Sequence, residues 1–322
     1  MAQIRAAGFV LFRTGRNHHL YLTLRNARHG DVGLPKGKAN RGEDSLETAR
    51  RETEEETGLG PDRIAANPWF RRAVTYPLKG VEKEVVYHLA ATDAEEITLS
   101  SEHAGAAWLD LDRALEAVPH DNLRGVLRDA AVFSKDPILR RGLTPEAARA
   151  LLAAEAGEEA PVLRHTAHVA AMARALASAW GDLDPDFVEA AAWLHDIGRA
   201  RTHGPRHPIE GFQLTVERGH GGYAAPCLSH YTKGRPHGDF GDVADEMWRA
   251  CDLESFLPEE RLIALADAMA AGERRVTLEE RHADLCRRYG AGPFFDGMLA
   301  AARGLQQEFE SRTGRGLYAT VA

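Results

Sequence analysis

Hydrophobic and polar positions alternate with a period of two over several segments in the first part of the chain. Leu20, Leu22 and Leu24 alternate with Tyr, Thr and Arg, which is the pattern of a half-buried strand. The segments 84–91 and 106–109 have the apolar and β-branched character of further strands. This part of the chain is therefore predicted to contain a β-sheet.

One helix interrupts these strand patterns. Asp44 with Glu47 three residues later forms a capping-box signature, and Gly58 supplies a stop signal. Together they predict a helix over 45–57. The mixture of strands and a helix favours an α/β fold for this part.

The pattern changes near 136–145, where two X-Pro pairs and an Ala/Glu-rich stretch follow one another. Beyond this point the apolar positions recur with a helical period, and six helices are predicted over 162–180, 185–197, 207–219, 241–253, 258–272 and 276–288. We therefore predict a first domain over 1–138, a linker with a short helix over 139–160, and an all-α domain over 161–322.

Composition narrows the classes of partner. The 322 residues carry 40 Lys and Arg against 48 Asp and Glu, which gives a net charge of −8. A net acidic chain disfavours general binding to nucleic-acid backbone, although local basic clefts stay possible. We therefore expect a small-molecule partner; the oligomeric state stays open.

The apolar runs and the cysteines of the sequence indicate the cellular compartment in which the protein is expected. The longest apolar runs, such as 8–12 and 190–194, are far shorter than the roughly 20 residues that cross a bilayer, and the first residues have the pattern of a strand rather than of a signal peptide. Three cysteines without a CxxC spacing predict neither a disulfide framework nor a thiolate zinc site. We therefore expect a cytoplasmic protein that does not associate with membranes.

Three glutamates share one face of the predicted helix. Glu52, Glu55 and Glu56 are three and four residues apart, so their carboxylates project into one small volume. Mg²⁺ or Mn²⁺ would relieve the repulsion between them and would also bind substrate phosphates. The alternative is a solvated acidic face with Arg51 as an ionic partner.

The surrounding spacing decides in favour of the metal. Gly37, five residues, Glu43, seven residues, and then R-E-x-x-E-E-x-G-hydrophobic resembles the signature of Nudix hydrolases, with Thr53 in place of a larger aliphatic residue. The resemblance implies an α/β/α sandwich in which Glu52, Glu55 and Glu56 bind metal. It also implies roles for Glu43, Arg51 and the carbonyl of Gly37, and attack of metal-activated water on phosphorus.

Further segments within 3–135 resemble the asymmetric diadenosine tetraphosphate hydrolases, among them Leu34-Pro-Lys-Gly and Val85-Val-Tyr-His-Leu-Ala. By this resemblance Lys36 and Lys83 bind phosphates, Tyr76 stacks on adenine and Tyr87 lies beside it. For both tyrosines, packing within a strand is the alternative.

The same resemblance includes the segment Ser101-Glu-His. It implies that Glu102 is either a catalytic base or a ligand of a further metal, and a surface-loop residue is the alternative. The second stacking aromatic of the family is expected near His120, where this sequence has none. Lys79 is a further lysine that no pattern assigns.

The helical part carries a second group of ligand-type residues. A His195-Asp196 pair ends an apolar helix, His165 precedes it by 30 residues, and Asp267 lies on a helix that is apolar almost all round. A buried carboxylate needs a cation or strong donors. Imidazoles and carboxylates that converge from separate helices can hold a divalent metal.

The order H…HD…D over 162–270 resembles the HD-domain metal-dependent phosphohydrolases, which implies an all-α helical bundle behind the Nudix sandwich. His165, His195, Asp196 and Asp267 then bind a first metal, with His165 preferred over His168. His207 and His230 bind a second, with Asp196 between the two. The metals implied are one or two of Mn²⁺, Fe²⁺, Ni²⁺ or Mg²⁺.

The segment His230-Tyr-Thr-Lys-Gly-Arg-Pro resembles that of bacterial HD hydrolases that split diadenosine tetraphosphate symmetrically. Lys233 and Arg235 are therefore candidate phosphate contacts, with a surface position as the alternative for each.

These resemblances predict a metal-dependent hydrolase of nucleoside polyphosphates, with dinucleoside polyphosphates such as diadenosine tetraphosphate as the leading substrates. One alternative is removal of a 5′ cap or pyrophosphate from RNA, the only nucleic-acid role expected. Another is a Nudix enzyme whose HD domain binds nucleotide and regulates.

Overall fold

The computed structural model describes residues 4–78 and 80–322, without the side chains of Ile4 and Leu78. Lys79, the lysine that no pattern assigned, lies outside the described residues. The chain divides into two compact units between Ile138 and Leu139.

One mixed sheet organises the described part of the first unit, with strand order β3-β2-β1-β6-β5, β4 paired to β1, and β7 paired to β2. The strands are β1 (Ile4–Arg13), β2 (Leu20–Asn26), β3 (Val32–Gly33), β4 (Lys36–Lys38), β5 (Ala65–Leu78), β6 (Val81–Ala91) and β7 (His103–Leu109). The helices are α1 (Ser45–Thr57), α2 (Leu111–Ala117) and α3 (Asp121–Phe133).

Strand β1 forms the centre of the sheet. It runs parallel to β6 along most of its length and antiparallel to β2 and β4. Phe9 and Leu11 pack with Ala49 of α1 in the main core cluster, while Val10 between them is fully buried on the opposite face of the strand. Both faces of the sheet are therefore covered, which confirms the predicted sandwich.

The predicted helix over 45–57 is confirmed as α1. The Asp44 carboxylate accepts hydrogen bonds of 2.8 Å from the backbone N–H groups of Leu46 and Glu47, and the Glu47 side chain completes the capping box. Gly58 ends the helix in the left-handed region, at φ 71°. These caps fix where the glutamates of α1 point.

The second unit is mostly helical, as predicted. Its helices are α4 (Pro145–Ala156), α5 (Pro161–Trp180), α6 (Pro185–Leu194), α7 (His207–Glu217), α8 (Ala225–Thr232), α9 (Ala244–Ala250), α10 (Pro258–Ala268), α11 (Leu278–Tyr289), α12 (Pro293–Thr313) and α13 (Leu317–Thr320). A short hairpin of β8 (Ala270–Ala271) and β9 (Arg274–Arg275) follows α10, where a longer helix was predicted. Of the helices in the described ranges, none combines the length and the apolar character of a bilayer span.

The segment predicted as a linker is packed into the second unit. Leu152 of α4 is fully buried, and Arg140 forms a 2.5 Å ion pair with Glu259 at the start of α10. The covered face of α4 contacts α6, the helix that precedes His195. Residues 139–160 therefore belong to the core that supports the histidines.

A close backbone approach sets the start of α7 against the turn after Asp196. A Cβ on Gly198 would lie 2.0 Å from His207 O and 2.4 Å from Gly211 N, so only glycine fits at this position. The approach brings His207 beside Asp196.

We expect Gly198→Ala to destabilise the second unit by about 1–3 kcal/mol, because its methyl group would push apart two backbone segments that cannot move independently. Gly304→Ala is the matched control. Gly304 lies inside α12 with nothing within 4 Å of the position that an added methyl group would take, so alanine should stabilise by up to about 1 kcal/mol. Calorimetric unfolding of both variants checks this; equal melting temperatures would contradict it.

Candidate functional site

Arg51 gathers the glutamates of the first unit. Its guanidinium donates to both carboxylate oxygens of Glu43 at 2.8 and 3.0 Å, to Glu52 at 2.8 Å and to Glu55 at 3.1 Å. The Arg51 bonds, together with the Asn40 backbone N–H, hold the pKa of Glu43 well below its usual range. Three carboxylates that the sequence predicts to act together are therefore drawn to one cation.

Glu56 differs from the other glutamates because it is buried. It accepts a 2.9 Å hydrogen bond from the Lys36 N–H, and the Nε2 atom of His103 lies 3.1 Å from its other oxygen. Burial raises the pKa of Glu56, although the Lys36 N–H and His103 act in the opposite direction. A cation beside this carboxylate would offset the cost of its burial.

Gly37 leaves room for the Glu52 carboxylate. A Cβ at this position would lie 1.8 Å from Glu52 Oε2, so the carboxylate rests directly on the glycine backbone. The glycine of the sequence signature thus has a steric reason, and its carbonyl belongs to the same small region as the glutamates.

The predicted substrate residues of the first unit fall into two groups. Tyr76 and Lys83 are cross-strand partners, with the Lys83 ammonium 5.7 Å from the centre of the Tyr76 ring, and burial lowers the pKa of Lys83. Lys36 is half-buried, and its backbone N–H donates a hydrogen bond to the Glu56 carboxylate. Tyr87, in contrast, is 3% exposed inside the sheet, and burial raises its pKa.

Glu102 is exposed, whereas its neighbour His103 is the residue that faces Glu56. His103 was not assigned a role from sequence. The Ser-Glu-His segment was the available signal, but Glu102 lies in the turn before β7, whereas His103 is the first residue of that strand.

Six ligand-type residues of the second unit meet although they come from separate elements. His165 lies on α5, the His195-Asp196 pair follows α6, His207 begins α7, His230 lies on α8 and Asp267 lies on α10. His195 and Asp196 are almost fully buried, and His168, the rival of His165, is exposed. The structure therefore brings together all six residues that the sequence predicted as ligands here.

Each of the four histidines is oriented by a backbone carbonyl. A carbonyl oxygen can only accept, so the Nδ1 atom donates and carries the proton, which leaves Nε2 to face the centre of the site. The Nδ1 contacts are 2.7 Å from His195 to Ala192 O, 2.9 Å from His207 to Gly204 O, 2.9 Å from His230 to Pro226 O, and 3.3 Å from His165 to Gly272 O.

At the centre, hydrogen-bond acceptors face one another. Burial lowers the pKa of His195 and His207, and burial together with the charge of His195 lowers the pKa of His230 to about 3, so these rings are neutral near pH 7. Asp196 Oδ1 nevertheless lies 3.3 Å from His207 Nε2 and 3.6 Å from His230 Nε2. Within the described ranges, Asp196 Oδ1 and His195 Nε2 have no hydrogen-bond partner.

An oxygen of Asp267 and the second carboxylate oxygen of Asp196 also lie near histidine nitrogens. Asp267 Oδ1 lies 3.4 Å from His165 Nε2 and 3.9 Å from His195 Nε2, and Asp196 Oδ2 lies 3.9 Å from His165 Nε2. Although burial acts against it, Asp267 and Asp196 raise the pKa of His165. Buried acceptors of this kind fit one or two divalent cations with nitrogen and oxygen ligands, and Asp196 could serve both.

Arg199 is a site residue that sequence reasoning missed. Its Nε donates to Asp196 Oδ2 at 2.5 Å, and its Nη2 lies 3.3 Å from His207 Nε2. Its position four residues after His195 was the available signal, since one helical turn would carry it back towards the pair.

Lys233 and Arg235 use their charged groups inside the protein. The Lys233 ammonium donates to His230 O at 2.7 Å, to Asp267 Oδ2 at 3.0 Å and to Ala264 O at 3.2 Å, which uses all three of its protons. Arg235 pairs with Asp239 and lies over the Phe294 ring. In this structure both charged groups are engaged within the protein, and their roles as phosphate contacts stay predictions.

We expect His165→Gln to lower the amount of transition metal retained by the purified protein, because it removes a nitrogen atom that faces Asp267 and is predicted to bind metal. His168→Gln, an exposed position one turn away on α5, is the matched control and should retain wild-type metal content. Elemental analysis by mass spectrometry measures both. Equal metal content in the two variants would contradict the placement of His165 in the site.

Comparisons with known proteins divide the chain in the same way. The family model of the NUDIX domain matches residues 2–129, and that of the HD domain matches residues 162–272. The asymmetrical bis(5′-nucleosyl)-tetraphosphatase of Rattus norvegicus is 34% identical over 143 residues, which span 40% of this chain and 95% of the relative.

Two further proteins resemble the first domain. An 8-oxo-(d)GTP phosphatase of Mycolicibacterium smegmatis is 31% identical over 42% of this chain and 42% of its own length. The crystal structure of a C. elegans Ap4A hydrolase binary complex has 28% identity over 39% of this chain and 93% of that chain, with a TM-score of 0.38. From the signature, the glutamate site and the rat relative together, the chain belongs to the Nudix family through its first domain, carries an HD domain as its second, and is a phosphohydrolase.

Proposed function

We propose that this hydrolase acts on nucleoside polyphosphates at two metal-dependent sites. At the Nudix site the substrate is a dinucleoside polyphosphate, with diadenosine tetraphosphate foremost, and the products are ATP and AMP. At the HD site a nucleotide phosphate bond is hydrolysed, with release of ADP from the same substrate. The rat relative's name describes asymmetrical cleavage of bis(5′-nucleosyl) tetraphosphates, which supports the first assignment.

The observation that carries the proposal is the glutamate cluster of α1. Glu52, Glu55 and Glu43 are held by one arginine, and the buried Glu56 follows Glu52 by one turn of the same helix. Such a set of oxygen ligands suits Mg²⁺ or Mn²⁺, which also bridge to phosphates. A divalent ion at such a site would activate water for attack on phosphorus and neutralise charge on the phosphates.

The protein's own residues would divide the remaining work at the Nudix site. Glu52, Glu55 and Glu56 would hold the ions, with Glu43 and the Gly37 carbonyl in support. Arg51 would keep these carboxylates in place through its hydrogen bonds.

Substrate contacts would come from two lysines and a tyrosine of the sheet. Lys36 and Lys83 would bind phosphate oxygens, and a phosphate would favour the charged form of Lys83 that burial disfavours. Tyr76, paired across the strands with Lys83, would stack on a base.

At the HD site, His165, His195, Asp196 and Asp267 would hold one divalent ion. His207 and His230 would hold a second, with Asp196 shared between them. Mn²⁺, Fe²⁺, Ni²⁺ and Mg²⁺ all accept imidazole and carboxylate ligands, and the histidine content favours a transition metal. Arg199 would supply a cation for a bound phosphate, because its guanidinium already reaches Asp196.

The state of the cysteines supports a proposal for the compartment of the protein. Among the described residues none of Cys227, Cys251 and Cys286 takes part in a disulfide. We accordingly propose the cytoplasm as its location.

Product analysis with diadenosine tetraphosphate and Mg²⁺ or Mn²⁺ tests the two assignments. We expect Glu55→Gln to reduce production of ATP plus AMP by at least about a hundredfold, since it removes a charged ligand from the cluster. Glu54→Gln, an exposed neighbour on the same helix, is the control and should keep full activity. Asp196→Ala should keep ATP plus AMP production and abolish release of ADP.

Full production of ATP plus AMP by Glu55→Gln would contradict the Nudix assignment. Unchanged release of ADP in Asp196→Ala would contradict the HD assignment. Loss of all products in Glu55→Gln alone would make the HD domain specific for another nucleotide or regulatory.

A further inference from the structure

A row of aromatic rings leads from the HD site to the protein surface. His207 contacts Tyr231 edge-on at 5.8 Å between ring centres; Tyr231 lies 6.3 Å from Phe294, Phe294 lies 5.4 Å from Phe295, and Phe295 lies 6.1 Å from Tyr289. We call Tyr231, Phe294, Phe295 and Tyr289 the aromatic wall. Its inner end touches a predicted metal ligand, and its outer end is Tyr289.

Tyr289 is unusually exposed for its size. It is 63% exposed, and among the described residues Tyr318, at 37%, is the other large hydrophobic side chain that is exposed. The rings of Tyr289 and Phe295 are inclined by only 20° to each other, and the Arg288 guanidinium lies 5.0 Å from the centre of the Tyr289 ring. An exposed ring beside a parallel aromatic and a guanidinium is suited to stacking on a nucleobase.

Arg235 packs against the start of α12, the helix that carries Phe294 and Phe295. Its guanidinium lies 4.9 Å from the centre of the Phe294 ring, and its Nη1 donates to Phe294 O at 3.2 Å. A Cβ on Gly297 would come within 2.8 Å of Arg235 Nη2, so α12 packs closely on this side chain. Because Arg235 follows Tyr231 by four residues, it ties the start of α12 to the segment that carries His230.

Arg199 lies beside the inner end of the wall. Its Nε donates to Asp196 Oδ2 at 2.5 Å, and its Nη2 lies 3.3 Å from Nε2 of His207, the ring that contacts Tyr231. A cation that can bind phosphate is therefore next to the point where the aromatic wall begins.

We propose that the aromatic wall is the nucleobase subsite of the HD site, with the base stacked on Tyr289 and the phosphates directed towards Arg199 and the histidines. The inference rests on the proposed phosphohydrolase function of the HD domain. The residues of α11 and α12 lie beyond the HD family match, which ends at residue 272. They would add base recognition to a site whose other residues address phosphate and metal.

Two probes separate base stacking from phosphate binding: 2-aminopurine riboside 5′-monophosphate and ribose 5-phosphate, each titrated in Mn²⁺. The full chain carries Glu55→Gln and Tyr76→Ala throughout, so that the Nudix site adds neither turnover nor stacking. Tyr289→Ala removes the ring and Tyr289→Phe keeps it. Tyr318→Ala is the matched control, because Tyr318 contacts the opposite end of α11 through the Leu278 N–H.

We expect Tyr289→Ala to weaken binding of the aminopurine nucleotide by roughly tenfold or more and to abolish the quenching of its fluorescence on binding. In Tyr289→Phe and Tyr318→Ala, the affinity for the aminopurine nucleotide and the quenching should stay within about twofold of the parent protein. That difference is well below the effect of losing one stacked base. Binding of ribose 5-phosphate should be the same in all of these variants.

Equal weakening of ribose 5-phosphate in Tyr289→Ala would overturn the subsite, since the ring would then support the fold and not the base. Unchanged affinity and quenching of the aminopurine nucleotide in Tyr289→Ala would overturn it too. If neither probe binds in a manner that Asp196→Ala abolishes, the proposed HD function fails and the subsite fails with it.

Discussion

The second domain depends on one constraint: Asp196 Oδ1 is buried among imidazole nitrogens and accepts no hydrogen bond from any described residue. Asp196 Oδ1 lies within 4 Å of the Nε2 atoms of both His207 and His230, and the backbone contacts of the two rings leave none of these atoms a proton to share. The Arg199 guanidinium offsets part of the repulsion through Asp196 Oδ2 and His207 Nε2, and a further cation at Oδ1 would offset the rest. The close backbone approach at Gly198 keeps His207 beside Asp196 in spite of that repulsion.

The two domains stabilise their clustered carboxylates in different ways. In the first, Arg51 supplies a positive charge within the cluster, so most of the glutamates stay balanced, and only Glu56 is buried with a raised pKa. In the second, Arg199 and Lys233 each pair with one carboxylate oxygen and leave the other oxygen towards the histidines. Both arrangements hold the carboxylates in position, so that a divalent ion would find oxygen atoms that need little rearrangement.

Sequence predicted best what depends on neighbours along the chain. The spacing of Glu52, Glu55 and Glu56 follows from one turn of helix, and the caps at Asp44 and Gly58 are local hydrogen-bond features. What depends on distant segments was not predictable in the same way. The Lys233 ammonium reaches Asp267, 34 residues later, because α8 and α10 pack together, so a side chain expected at a phosphate serves a carboxylate. The aromatic wall likewise joins segments whose apolar positions only indicated helix.

The most direct test of the two proposed metal sites is a crystal structure of the protein soaked in MnCl₂, with anomalous data collected at the manganese absorption edge. We predict one anomalous peak bonded to glutamate oxygens of α1 and at least one bonded to Asp196 together with an imidazole Nε2. The opposite result would be side chains that keep their positions with no peak between them and with ordered waters donating to the facing acceptors. That result would contradict the assignment of both clusters as metal sites.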